Sequence, residues 1–367
     1  MKLSTTTRTA AVSAALAATL ALAACGASNE ESGSGTASGG DSGGELSGTL
    51  VGAGSSAQQA AMQGWTAGFN AIQPDVAVSY DPIGSGGGRE QFLAGGTDFA
   101  GSDAALDEEE LRQAAERCGP SGVFELPNYI SPIAVVYNLD GVQELNLTPT
   151  TLAAIFDRRV TRWDDPAIVA DNPGAELPDL PITPVNRSDE SGTTENFEKY
   201  LAAAAPSAFT AEPSKQWAGT VGEGREKSAG VAEGTKTTEG GITYVEWSYA
   251  TSNGLGIAQV DNGGGAVELT GESAGKAVSV ASVDGTGNDL KLKLDYTTKE
   301  AGVYPIVLVT YEIVCSKGLD AGQTTLLKAF LKHFSDTATQ SELESIGYAP
   351  LPEEIRAKVA TAVDAIS

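Results

Sequence analysis

From residue 49 onward, short apolar strands alternate with amphipathic helices, and the junctions between them are rich in Gly and Ser. In the first helical segment, Ala61, Trp65 and Phe69 recur at the spacing of one helix face. Strand-helix-strand units build parallel sheets, so the alternation predicts an α/β protein with a mainly parallel sheet covered by helices. Up to residue 126, we predict strands at 49–51, 76–80, 98–101 and 123–126 and helices at 57–72, 84–93 and 107–117.

A second series of the same kind follows from residue 131. Its first member, 131–137, is an apolar run typical of a buried strand. Residues 253–300 are rich in Gly and in alternating patterns, which predicts β-turns and a peripheral hairpin. The other predicted elements are strands at 181–185, 241–245 and 305–314 and helices at 191–204, 321–334 and 353–365.

The N-terminus has the pattern of a secretory signal. Lys2 and Arg8 precede an apolar run at 10–20 that is too short for a comfortable transmembrane helix, and Leu22-Ala23-Ala24-Cys25 closes it. We predict a signal peptide at 1–24 that ends in a lipobox, with a lipid on the Cys25 thiol; the alternative is an ordinary signal in which Cys25 is incidental. Residues 25–47 would then be the lipidated cysteine and a flexible tether, which holds the chain at the extracytoplasmic face of the cell membrane.

The charge and the scarcity of His limit the possible functions. The formal charge is −25, and it becomes more negative if Lys2 and Arg8 leave with the signal. Such a surface argues against nucleic-acid binding. The chain has one His and three Cys, which disfavours a zinc site, and we expect no metal or cofactor. A Ser-His-Asp hydrolase would have to use His333, which lies in a stretch with helical spacing.

With Cys25 as the anchor, Cys118 and Cys315 remain in an oxidising compartment. There a pair of cysteines is more often bridged than free. The alternative is two buried thiols.

Three segments share one design, in which a strand ends in a turn of small residues and a helix follows. Each would place free backbone N–H groups and a hydroxyl at a helix N-terminus, which favours an anion. Arg187 lies just before the third, and Asp189 either orients that guanidinium or is a solvated turn residue. The alternative for each turn is N-capping alone. The segments are Gly54-Ser55-Ser56-Ala57, Gly84-Ser85-Gly86-Gly87-Gly88 and Ser191-Gly192-Thr193-Thr194.

Seven motifs in a fixed order give the chain its resemblance to a family. The motifs are Gly52-Ala53-Gly54-Ser55-Ser56, Ile83-Gly84-Ser85-Gly86-Gly87, Asp98-Phe99-Ala100-Gly101-Ser102-Asp103, Arg162-Trp163-Asp164-Asp165-Pro166, Arg187-Ser188-Asp189-Glu190-Ser191-Gly192-Thr193, Gly241-Ile242-Thr243-Tyr244-Val245-Glu246 and Gly347-Tyr348-Ala349-Pro350-Leu351-Pro352. On these motifs the chain, from about residue 48 to 360, resembles the PstS family, the phosphate-binding receptors of high-affinity phosphate ABC importers.

The resemblance implies a two-lobed fold of the type II periplasmic-binding-protein class that closes on one inorganic phosphate. Lobe I would be 48–127 plus 306–367, lobe II would be 128–305, and the hinge crossings would lie near 127–131 and 304–307. It also places Cys118 and Cys315 in the same lobe, as a disulfide. It implies no enzymatic activity, a monomer, and the transmembrane subunits of a phosphate ABC importer as partners. The implied phosphate ligands are Ser55, Ser56, Ala57, Ser85, Asp103, Arg187, Ser191, Gly192 and Thr193.

One departure from the family pattern concerns the first ligand loop. Many members have Thr-Phe-Pro where this chain has Ser56-Ala57-Gln58, so the aromatic wall is absent here while the hydroxyl and amide remain. Other readings are a receptor for another tetrahedral oxyanion such as sulfate or molybdate, against which Asp103 argues, and a surface adhesin or signalling lipoprotein. An exported phosphatase or esterase would use Ser56, Ser85 or Ser191 as its nucleophile.

Overall fold

A computed structural model describes residues 46–279 and 281–367. The predicted signal peptide, Cys25 and nearly all of the predicted tether lie outside these residues. The described residues belong to one compact unit. Among the described residues, no helix has the length and apolarity needed to cross a membrane.

Most of the strands join one mixed sheet in the order β2-β1-β3-β13-β4-β8-β6-β7, with β9 beside β4. Strand β1 is parallel to β2 and β3, and β6 is parallel to β7 and β8. The strands are β1 Gly48–Gly54, β2 Val76–Asp81, β3 Phe99–Ser102, β4 Val123–Tyr137, β5 Asn146–Leu147, β6 Thr183–Arg187, β7 Glu223–Arg225, β8 Gly241–Glu246, β9 Gly256–Ile257, β10 Gln259–Val260, β11 Ser282–Val283, β12 Leu292–Lys293 and β13 Val307–Cys315.

Helices cover the sheet, and several begin at residues whose side chains cap them. Asp107 and Glu110 form a capping box, and Asp320 accepts the Gln323 N–H. The helices are α1 Gln59–Ile72, α2 Ser85–Leu93, α3 Glu108–Cys118, α4 Pro149–Phe156, α5 Pro166–Asp171, α6 Gly192–Ala204, α7 Lys227–Thr237, α8 Trp247–Asn253, α9 Gly271–Ser279, α10 Ala321–Ser335, α11 Thr337–Glu342 and α12 Glu353–Ala365, with a 3-10 turn at Leu343–Ile346.

The antiparallel part of the sheet comes from the two strands that connect its halves. Residues 123–132 of β4 pair with β13, and residues 133–137 pair with β8. The prediction of two strands, at 123–126 and 131–137, was therefore wrong, because β4 runs through without a break. Pro127 does not end it, because a register shift opposite Thr310 and Tyr311 accommodates the missing N–H.

The buried apolar residues form two cores, one in each half. The first core includes Trp65, Phe99 and Phe330, and the second includes Phe156, Phe197 and Tyr244. Strand β13 contributes residues to both cores, because Leu308 packs in the second core and Val309 packs in the first. We call the halves around these cores the first and second lobe. The lobe boundaries at 127/128 and 305/306 stay a prediction; Leu290, Leu292 and Val303, from the stretch assigned to lobe II, pack in the first core.

A disulfide joins Cys118, at the end of α3, to Cys315, at the end of β13. Both residues belong to the first core. The bond spans 197 positions in the sequence and ties the central strand of the sheet to a covering helix.

The segment 253–300 differs in part from its prediction. The predicted hairpin is present, since β11 and β12 pair antiparallel. The same segment also contains α9, which the alternating pattern did not indicate. Helices α4, α5, α7, α8 and α11 were likewise not predicted. Most of these helices are short, so their hydrophobic period is sampled over too few turns to stand out.

Candidate functional site

The carboxyl ends of β1 and β3 bring the first two groups of predicted ligands together. These strands are parallel neighbours, so the residues that follow them emerge at one edge of the sheet. Ser55 follows β1, Asp103 follows β3, and Ser85 begins α2 beside them. All three side chains are almost fully buried.

The Asp103 carboxylate lies in a cage of hydroxyl groups. Ser55 Oγ and Ser85 Oγ donate to its Oδ2 at 2.5 and 3.1 Å, and Thr310 Oγ1 donates to its Oδ1 at 2.8 Å. Burial raises the pKa of Asp103 to about 6, Glu246 adds to the rise, and the three hydroxyls oppose it. At neutral pH the group is therefore mainly an ionised acceptor. A carboxylate has about four acceptor positions, so about one remains for another donor.

The Arg187 guanidinium is held in one orientation by Asp189. Its Nε donates to Oδ1 at 2.7 Å and its Nη2 to Oδ2 at 2.5 Å, which leaves Nη1 facing Ser228 Oγ at 3.4 Å. The Arg187 side chain is only 2% exposed. Burial by itself lowers the pKa of Arg187, but the Asp189 carboxylate outweighs it and raises the pKa. Of the two alternatives for Asp189, the structure shows the orienting contact.

The N-terminus of α6 approaches this group from the second lobe. Ser191 caps the helix, because its Oγ accepts the Thr194 N–H at 3.2 Å. Helix α6 can come this close because Gly192 has no side chain. A Cβ at this position would lie 2.7 Å from Asp103 Cβ and 2.8 Å from Ser85 Oγ, which is too close for either contact. Within 46–279 and 281–367, the backbone N–H groups of Gly192 and Thr193 have no hydrogen-bond partner. Two free donors thus lie at the helix end that meets Asp103.

Ser56 lies against the first turn of another helix, α7. Its Oγ is 3.0 Å from Ser228 Oγ and accepts the Ser228 N–H at 3.2 Å. The neighbouring Ala57 N–H donates to Ser55 Oγ at 3.0 Å. Because Ser228 also meets Arg187, the first loop and the arginine are linked through this serine.

The two lobes touch across the site at several further points. Gly86 permits one of them, since a Cβ there would lie 2.3 Å from Glu190 Cβ. The polar contacts are Asn196 Nδ2 to the Asp103 carbonyl at 2.6 Å, the Gly86 N–H to the Glu190 carbonyl at 3.3 Å, and Lys215 Nζ to Glu110 Oε1 at 2.9 Å.

All the predicted ligands therefore lie in one connected cluster at the lobe junction, and three further residues belong to it that the sequence did not single out as site residues: Thr310, Ser228 and Glu246. Ser228 was missed because no Gly-rich turn precedes α7. Glu246 is fully buried, accepts the Thr193 hydroxyl, and has no partner for its Oε2 among the described residues. The signal for Glu246 was available, since it is an acid at the end of the otherwise uncharged strand β8.

The donor set suits a small, partly protonated anion. The cluster offers one guanidinium, several hydroxyls and free backbone N–H groups, together with two carboxyl groups that keep an acceptor position, Asp103 and Glu246. Among the described residues, no group of three or more His, Cys, Asp or Glu could hold a metal ion.

Comparisons with known proteins agree with this chemistry. A family model described as a PBP superfamily domain matches residues 32–337. Phosphate-binding protein PstS 3 of Mycobacterium tuberculosis is 44% identical over 303 residues, which cover 82% of this chain and 81% of that protein. A high-affinity periplasmic phosphate-binding protein solved with phosphate has a TM-score of 0.71 at 22% identity and covers 86% of this chain and 93% of its own. A phosphate-binding protein from Stenotrophomonas maltophilia has a TM-score of 0.66 at 17% identity, with 86% and 94% covered. The two structures share the fold, which confirms the predicted two-lobed architecture.

Proposed function

Because the chain belongs to the PBP superfamily and, within it, to the PstS-type phosphate-binding proteins, we propose that it binds inorganic phosphate and delivers it to an ABC importer. Phosphate would lie between the lobes, where a sheet edge from the first lobe meets helix N-termini from the second. The relatives are binding proteins and not enzymes, which fits a receptor that performs no covalent chemistry.

The observation that carries this proposal is the placement of Asp103 against the start of α6, in the cluster that also contains Arg187. Near neutral pH phosphate still carries a proton, so it needs many donors and one acceptor. The free N–H groups of Gly192 and Thr193 and the guanidinium supply donors, and Asp103 has about one acceptor position left. Sulfate has no proton to donate, so one of its negatively charged oxygens would lie against the Asp103 carboxylate, which is a repulsive contact between like charges.

The ligands that we propose comprise nine residues, which divide by lobe. From the first lobe come the hydroxyls and amide of the first loop, the α2 hydroxyl and the acceptor. From the second come the guanidinium and the capped start of α6. They are Ser55, Ser56, Ala57, Ser85 and Asp103 in the first set, and Arg187, Ser191, Gly192 and Thr193 in the second.

Calorimetry tests this proposal most directly. The chain from residue 26 onward, stripped of bound anions, is titrated with phosphate, sulfate and molybdate at neutral pH. We expect saturable heat at one site per chain with phosphate and none with sulfate. Equal binding of sulfate and phosphate would point to a general oxyanion receptor. The absence of any binding heat with phosphate would refute the proposal.

A hydrolase reading finds no support in the position of the histidine. His333 lies on α10, with its ring 5.5 Å from the ring of Phe69 in the first core. Burial lowers its pKa. The serines that this reading needs as nucleophiles are Ser56, Ser85 and Ser191, which lie in the site cluster at the lobe junction, where Ser85 donates to Asp103. Turnover of a chromogenic phosphate ester above the blank would reverse this conclusion.

We also propose that a lipid on Cys25 holds the receptor at the extracytoplasmic face of the membrane. The support is the lipobox Leu22-Ala23-Ala24-Cys25 at the end of the apolar run. Cys25→Ser should abolish the incorporation of labelled palmitate and block processing of the signal. A variant that keeps the lipid label would refute the anchor.

A further inference from the structure

Three successive carbonyl groups of the first loop each accept a hydrogen bond from a different tyrosine. The loop, residues 55–57, consists of three of the proposed ligands, Ser55, Ser56 and Ala57. The three hydroxyls come from three separate parts of the chain. They are Tyr80, which donates to the Ser55 carbonyl at 3.0 Å, Tyr249, which donates to the Ser56 carbonyl at 3.0 Å, and Tyr348, which donates to the Ala57 carbonyl at 2.5 Å.

These bonds fix the direction of the loop's N–H groups. In a trans peptide the carbonyl of one residue and the N–H of the next point to opposite sides of a rigid plane. Holding the carbonyls of Ser55 and Ser56 on the tyrosine side therefore turns the N–H groups of Ser56 and Ala57 to the other side, whereas the Gln58 N–H donates to the Ser55 carbonyl within the turn. The peptide that Tyr249 holds is the one that carries the Ala57 N–H, which is the proposed amide ligand.

The loop's own hydrogen bonds are those of a turn, from the Ala57 N–H to Ser55 Oγ at 3.0 Å and from the Gln58 N–H to the Ser55 carbonyl at 3.3 Å, and it lacks a side-chain cap. Helix α1 starts at Gln59, and its N-cap residue Gln58 makes no side-chain capping bond. At α6, by contrast, the Ser191 side chain caps the helix and sets the first turn. Ala57 also has no side chain long enough to pack and hold the backbone. The tyrosines thus hold a segment that neither a cap nor an aromatic side chain holds.

The three tyrosines do not belong to one lobe. Tyr348 is part of the first core and Tyr80 packs against it, whereas Tyr249 packs against the second. The bond from Tyr249 to the Ser56 carbonyl therefore forms only when the lobes are together. Burial raises the pKa of all three hydroxyls, which keeps them protonated as donors.

We propose that Tyr80, Tyr249 and Tyr348 are positioning residues that aim the first-loop amides at the bound anion, with Tyr249 making that alignment depend on lobe closure. This inference rests on the proposed phosphate function. It assigns to three side chains the role that a capping residue and an aromatic wall would otherwise have at this loop.

The test uses Tyr80→Phe, Tyr249→Phe and Tyr348→Phe in the chain from residue 26 onward. Tyr137→Phe is the matched control, because its hydroxyl donates to the Val142 carbonyl at 3.3 Å, away from the loop. Each lost bond should weaken phosphate binding about two- to tenfold, the effect of one hydrogen bond of ordinary strength. The control should bind phosphate as the unchanged chain does.

Two further readouts separate positioning from general stability. Stopped-flow measurements should show that Tyr249→Phe raises the phosphate dissociation rate while the association rate stays close to that of the unchanged chain. Amide exchange of the phosphate-free protein should be faster in the peptide around residues 55–58 for Tyr80→Phe and Tyr348→Phe, and unchanged for Tyr137→Phe. A drop in melting temperature with unchanged affinity and exchange would show a merely structural role and overturn the inference.

The outcomes also distinguish this inference from the function on which it rests. If the unchanged chain binds phosphate and the three variants bind it as the control does, only the tyrosine inference is lost. If the unchanged chain gives no phosphate heat, both are lost.

Discussion

Replacing Asp103 by Asn should make the protein more stable and less selective at the same time. The substitution keeps the shape of the side chain and removes its charge. In the structure the carboxylate is buried among three hydroxyls, and burial raises its pKa from 3.8 to about 6. An acid whose pKa is higher in the folded state destabilises that state once it ionises.

The size of the expected stability gain follows from the rise in the pKa of Asp103. The rise of roughly two pKa units corresponds to about 3 kcal/mol at about 1.4 kcal/mol for each unit. Below the unfolded pKa both states are protonated and the penalty is absent; it grows as the pH rises from 3.8 to about 6 and is complete above the folded pKa. Asp103→Asn should therefore raise the free energy of unfolding by up to about 3 kcal/mol near pH 7.5 and by only about 1 kcal/mol near pH 4.5.

The effect on selectivity comes from the same charge. Contact between like charges in a desolvated site costs several kcal/mol, and this repulsion would exclude sulfate from the unchanged protein. An Asn amide can accept from phosphate or donate to either anion. We expect sulfate binding to become detectable in Asp103→Asn, while phosphate binding persists with reduced affinity.

Two assays check the reasoning. Urea unfolding of the phosphate-free proteins at the two pH values gives the stability difference, and a competition titration with phosphate and sulfate gives the selectivity. Thr310→Val is a useful control, because it removes one donor to Asp103 and leaves the charge. If Asp103→Asn rejects sulfate as the unchanged protein does, discrimination lies in another group. A stability change that is the same at both pH values would show that the charge is not its cause.

Three further predictions concern the arginine, the disulfide and the pH dependence of stability. Arg187→Ala should weaken phosphate binding by about 2–5 kcal/mol while the fold persists. Calorimetry with Arg187→Lys alongside would show whether the planar guanidinium matters, and unchanged affinity in Arg187→Ala would show that the phosphate site does not include Arg187. Replacing Cys118 and Cys315 together by Ala should lower the free energy of unfolding by about 2–5 kcal/mol, measured in urea, and an unaltered midpoint would contradict the bond's stabilising role. Because burial raises the pKa of Glu312 to about 8, stability should fall as the pH rises from about 6 to about 8; Glu312→Gln should flatten this slope, and an equally steep slope would assign it to other groups.

The sequence by itself determined most of the elements and most of the proposed ligands. Hydrophobic period and capping residues act over a few positions, so strands such as β1 and β2 and helices such as α3 and α10 were predictable within a few residues. The three turns and Arg187 could be found because each carries a local pattern of small, hydroxyl or charged residues. The resemblance to a family then gave Asp103 its role as the acceptor.

Only the tertiary structure decided how these groups meet. The Ser56 side chain and Ser228 are 172 positions apart, and the Tyr249 hydroxyl and the Ser56 carbonyl are 193 positions apart. No local pattern encodes such pairs, because they depend on how the second lobe is placed against the first. The same holds for β4, whose continuity through Pro127 depends on a bulge opposite β13. Local chemistry sets which groups can bind an anion, whereas contacts between distant parts of the chain decide which of them face it.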